Sequence, residues 1–110
     1  MQIVRFLADY CEGDEAYANH RITMIVGIEP TGAIAPGEWV GYLKANKAVT
    51  PFVVDAENGF LTASDFASSF STTVAKRVIR VGEMFSIGAM PGESPKWESV
   101  YQIKSVHVYS

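Results

Sequence analysis

The last quarter of the chain constrains the fold most. Val78–Ile87 and Trp97–Tyr109 are rich in β-branched and aromatic residues, and the loop between them, Gly88–Lys96, holds two prolines and two glycines. Such a loop between two β-rich runs predicts adjacent antiparallel strands. Read with strict alternation, the final run places Val100, Gln102, Lys104, Val106 and Val108 on one face and Tyr101, Ile103, Ser105, His107 and Tyr109 on the other. Neither face is cleanly polar, which predicts that both sides of this strand are covered, by a helix, by curling of the sheet or by another subunit.

Upstream, Ile3–Leu7 and Arg21–Ile28 read as strands separated by the turn-forming Gly13-Asp14, and the second stops at Pro30. Glu38–Asn46 is ambiguous. Trp39, Tyr42 and Leu43 fit one helical face, whereas Gly41 disfavours a helix and the aromatics suit a strand. Val49–Asp55 reads as a strand whose Pro51 suggests a sheet edge or a strand start, and Asn58-Gly59 as a tight turn. Gly82 suggests a bulge or bend in the strand that contains it.

A helix is expected over Ser64–Lys76, with Ser64 as N-cap, Asp65 in its first turn, and Phe66, Phe70 and Val74 at four-residue spacing. The competing signal is the Ser/Thr-rich stretch Ser68–Thr73, a poor helix former that also alternates like a strand. The predicted fold is therefore α+β: one domain spanning residues 1–110, with a strongly curled, barrel-like antiparallel sheet of five or six strands and one packing helix.

Charge and motif content remove several function classes. Nine basic and twelve acidic residues give a net charge of −3 with no basic stripe, so nucleic-acid binding is not expected. No apolar run approaches the length of about 18 residues that suggests a membrane span. A lone cysteine, Cys11, and a start without a basic-apolar leader point to the cytoplasm. The acidic neighbours Glu12, Asp14 and Glu15 disfavour a thiolate at Cys11, so it is not expected to be a nucleophile. No metal or cofactor is expected: His20 and His107 are far apart, and no CxxC, HExxH, GxGxxG or GxSxG pattern occurs. Carboxylate pairs such as Asp9/Glu12 or Asp55/Glu57 arise by chance in any acidic chain.

What remains is a mixture of aromatic and polar side chains: Trp39, Tyr42, Trp97, Tyr101, His107 and Tyr109. In a curled sheet, Trp39, Tyr42, Trp97, Tyr101 and His107 are the candidates to line a ligand pocket, the plain alternative being core and subunit-interface residues. The expected function is a cytoplasmic binding or interaction module, a homodimer that takes a small molecule or a protein partner; its size suits an accessory protein of a mobile bacterial element. The alternatives are a small enzyme with a histidine or carboxylate base in the pocket, and an immunity- or antitoxin-like inhibitor docking through Glu12–Glu15.

Overall fold

The β-rich runs close on themselves. A computed structural model of the protein, which describes residues 1–63 and 69–109, contains eight strands: β1 (Gln2–Glu12), β2 (Glu15–Ile28), β3 (Glu38–Ala45), β4 (Ala48–Asp55), β5 (Phe60–Ala63), β6 (Ser69–Thr72), β7 (Met84–Gly88) and β8 (Glu98–Val108). Each pairs antiparallel with its neighbours in chain order, and β8 returns to pair with β1 in a closed up-and-down barrel. The α+β expectation is thus corrected to an all-β barrel with more strands than predicted. Closure buries one face of every strand, which serves the purpose assigned to a packing helix.

Residues 64–68 of the expected helix lie outside the described residues. The rest of it divides into β6 and a single 3-10 turn, Val74–Lys76. Strand wins here for a physical reason: β5 and β7 each have an open side, and β6 satisfies both, pairing Leu61 with Phe70 and Thr72 with Ile87. The run expected from Val78 becomes strand only at Met84; Val78 makes an isolated bridge to Ala33, and Gly82 takes φ +94° in the turn before β7. From there β7 pairs with β8 across the Pro/Gly loop, Phe85 opposite Tyr101. Glu38–Ala45 is strand, with Gly41 at a crowded point: a Cβ there would lie 2.5 Å from the Thr23 carbonyl oxygen and 2.8 Å from Met24 Cγ. Pro51 lies inside β4 rather than at a sheet edge, just beyond the ladder to β5, which begins at Phe52.

The two-sided apolar pattern of β8 has a local cause. Phe6 pairs with Val106, Leu7 with Ser105, but Ala8 with Ile103, so Lys104 is an extra residue in a β-bulge. The bulge shifts the alternation by one position. Tyr101, Ile103 and Val106 therefore share the inner face, while Ser105 and His107 face out with Leu7 and Arg5. The apolar residues of β8 do not by themselves require a second subunit.

The core runs up the barrel axis. Phe6, Met24, Val26, Val54, Phe85 and Ile103 are buried, and the Phe85 ring meets Phe6 edge-on with centroids 6.1 Å apart. One end is plugged by its connections: Ile34 from the β2–β3 link and Val74 and Ile79 from the β6–β7 link are buried in the same cluster, and the Ile79 amide donates to the Gly32 carbonyl at 3.0 Å. No helix among the described residues is long and apolar enough to cross a membrane.

Candidate functional site

At the other end, where β1 turns into β2, β3 into β4 and β7 into β8, the described residues do not fill the barrel interior. A cavity of about 250 Å³ lies there, its walls carrying Ile22, Leu43, Phe52, Leu61, Phe70 and Ile87. Alternation explains the lining: each is an inward side chain in the mouth-side part of its strand. Trp97, at the end of the β7–β8 loop, closes one side, its ring edge-on to Phe70 at 5.6 Å.

Among the described residues the wall is apolar except for His20, Tyr101, Thr50 and Ser99. His20 reaches it by alternation along β2, two residues before Ile22, at a point where the β1–β2 ladder becomes irregular. Asp9 pairs with Arg21, but the next residue, Tyr10, pairs with Tyr17 instead of His20, so Ala18–His20 bulge from the ladder. A bidentate ion pair fixes the point of departure, Arg21 Nε and a terminal Arg21 nitrogen donating to the Asp9 carboxylate at 2.6 and 3.1 Å. Beyond it, Tyr10 gathers His20, Tyr17 and Tyr101 around itself at ring distances of 5.1, 5.9 and 5.9 Å. Tyr101 is held from below by stacking on Phe85, 5.8 Å between centroids at 17°.

His20 Nε2 and the Tyr101 hydroxyl form a 3.0 Å hydrogen bond. Burial lowers the His20 pKa below the ordinary histidine value and, with a smaller contribution from Tyr10, pushes Tyr101 up to about 12. Both groups are neutral at pH 7. A neutral imidazole carries one N–H and a phenol one O–H; the bond between them uses one of these hydrogens whichever tautomer forms. The other has no acceptor, because neither side chain has a second hydrogen-bond partner among the described residues.

Of the five candidates read from the sequence, the structure brings Trp97 and Tyr101 together at the cavity. Trp39 sits at the plugged end, its indole donating to the Ala35 carbonyl at 2.8 Å and its ring against Gly27. Tyr42 lies on the outer face of β3, 41% exposed. His107 is also outside, opposite Arg5 and edge-on to Tyr109 at 4.8 Å, because the Lys104 bulge has already reversed the alternation. His20 was missed as a cavity residue, although His20, Ile22, Met24, Val26 and Ile28 form one unbroken inward series once β2 is started before Arg21.

The carboxylates named in the sequence lie elsewhere. Asp9 is tied to Arg21, and Asp55 caps the β4–β5 turn, accepting from the Glu57 and Asn58 amides at 3.1 and 3.2 Å. Cys11 is half-buried on β1, its thiol against the Asp9 carbonyl at 3.5 Å. No group of three His, Cys, Asp or Glu side chains converges among the described residues. No family model matches the sequence, and no curated protein or solved structure matches the chain.

Proposed function

We propose that the protein binds a small, neutral, mostly apolar molecule in the mouth of the barrel, with one hydrogen-bond acceptor directed at the His20–Tyr101 pair. The observation that carries this reading is the cavity itself, about 250 Å³ of apolar lining with a clamped polar pair on its wall. An apolar pocket with few, fixed polar groups is the usual form of a small-molecule site, and this volume suits a molecule of one or two rings. The expected inhibitor role has only the exposed Glu12–Glu15 tip in its favour.

Acetophenone and ethylbenzene test the reading, being alike in shape but with and without a carbonyl acceptor. In amide and methyl NMR spectra, acetophenone should shift the signals of Ile22, Leu61 and Ile87 and the Trp97 indole. Thr50→Phe, which fills the cavity, should abolish the shifts. Tyr101→Phe should weaken acetophenone by up to about tenfold and leave ethylbenzene unchanged, because a neutral hydrogen bond contributes about 0.5–1.5 kcal/mol net. Absence of these shifts at millimolar ligand, or their survival in Thr50→Phe, would refute cavity binding.

Acid–base catalysis is the second reading, favoured by the neutral imidazole on the cavity wall. It is weaker because, among the described residues, the pair's neighbours in the lining supply only the Thr50 and Ser99 hydroxyls and no carboxylate that could orient His20 or accept a second proton.

A further inference from the structure

The outer surface of the barrel carries a pattern that ligand binding inside does not use. On β3 the outward residues are, in order, Glu38, Val40, Tyr42 and Lys44: an acid, two apolar side chains and a base. The neighbouring strands extend each row sideways. Val40 lies between Ile25 and Val53, Tyr42 between Thr23 and Pro51, Glu38 beside Asp55, and Lys44 between Arg21 and Val49. The face thus carries Lys44 at the mouth end, where Arg21 is already paired with Asp9, acidic groups at the plugged end and apolar side chains between. Its centre is well exposed, Val40 at 57% and Ile25 at 42%. Among the described residues, neither Glu38 nor Lys44 takes part in an ion pair.

We propose that this β2–β4 face is a self-association surface whose occupant is a second copy of the same chain, packed sheet on sheet with the strands antiparallel. The argument is charge complementarity under symmetry. A two-fold axis lying between the two faces and perpendicular to the strands sets β3 on its counterpart in reverse. Glu38 then meets the partner's Lys44, and Val40 meets the partner's Tyr42. Parallel packing would oppose Glu38 to Glu38 and Lys44 to Lys44, so the same charges that favour one orientation exclude the other. An apolar row between charged ends is also what a monomer would ordinarily avoid exposing. The homodimer expected from the sequence thereby moves from β8 to β3, on independent grounds from the ligand cavity.

Sedimentation velocity between 5 and 500 μM protein tests the proposal, with circular dichroism to verify the fold of each variant. The wild-type chain should pass from monomer to dimer in this range. Lys44→Glu and Glu38→Lys should each weaken association at least tenfold, by setting like charges against each other. The double exchange E38K/K44E restores opposite charges in the reversed sense and should recover dimerisation to within about threefold of wild type. A monomer throughout the range, single variants that dimerise like wild type, or a double exchange that stays monomeric would each overturn it. Acetophenone shifts followed on the same proteins report the cavity separately, so failure of either proposal leaves the other legible.

Discussion

The two ends of this barrel are built from the same strands and finished in opposite ways. At the plugged end, long connections fold inward: Ile34, Val74 and Ile79 drop into the lumen and Trp39 bonds to the β2–β3 link. At the mouth, the β1–β2 and β3–β4 connections are tight turns at Gly13 and Asn46, both at positive φ, too short to reach the axis. Among the described residues, the lumen there is lined by inward side chains of the strands, with Trp97 of the β7–β8 loop on one side. A closed sheet dictates a cylinder; apolar side chains dropped into it from the connections, as Ile34, Val74 and Ile79 are, make one end core.

The largest test of that contrast is at the plug. Ile34→Ala should cost about 2–5 kcal/mol, since it removes packed atoms that nothing can replace, and urea unfolding would measure it. A loss below 1 kcal/mol would mean that the plug is decorative. Gly41→Ala probes the floor between the two regions. Its Cβ would press on the Thr23 carbonyl and Phe52, so it should cost about 1–3 kcal/mol, and movement of Phe52 should also weaken acetophenone. Leu43→Ala at the mouth should cost only about 1 kcal/mol, because the side chain is half-buried against existing empty space. Equal losses for Ile34→Ala and Leu43→Ala would erase the distinction.

The smallest effect is a pH dependence confined to the mouth. Because burial lowers the His20 pKa, there is a window below about 6.5 in which the unfolded chain binds a proton and the folded one does not. Stability should be full above that value and decline as the pH falls through the window. His20→Gln should flatten this part of the profile, and a curve unchanged by His20→Gln would place the titration elsewhere.

Much of the barrel can be read from the chain, and the failures have definite causes. Glycine, proline and asparagine mark the turns at Gly13, Asn58-Gly59 and the Gly88–Lys96 loop, and the strands between them follow. Alternation is a local rule that a bulge resets, so reading β8 straight through Lys104 assigned His107 to a pocket it cannot reach. Starting β2 at Arg21 cut off His20, which pattern alone would have set in line with Ile22. Isolated apolar residues in links, such as Ile34 and Ile79, show no period, and only the closed fold reveals what they fill. Phe70 and Val74 are four apart in either conformation; strand and turn prevail because two ladders need a partner.

Among the described residues, that partner is also the barrel's least continuous join. β6 meets β7 through two residue pairs, Ser71 with Gly88 and Thr72 with Ile87, whereas β1 and β2 run together over most of their length. Hydroxyl groups supply much of the stitching: Ser71 donates to the Ala89 carbonyl at 2.9 Å, and Thr73 Oγ1 accepts the Ser86 amide at 2.9 Å. Each such bond contributes only about 0.5–1.5 kcal/mol net, and the seam has few of them. The seam therefore parts with less penalty than a long main-chain ladder, and it borders Phe70, Ile87 and Trp97, the wall of the cavity. The serine- and threonine-rich stretch that weakens a helix gives the cylinder a placket, a fastening that can yield beside the mouth while the rest of the garment stays closed.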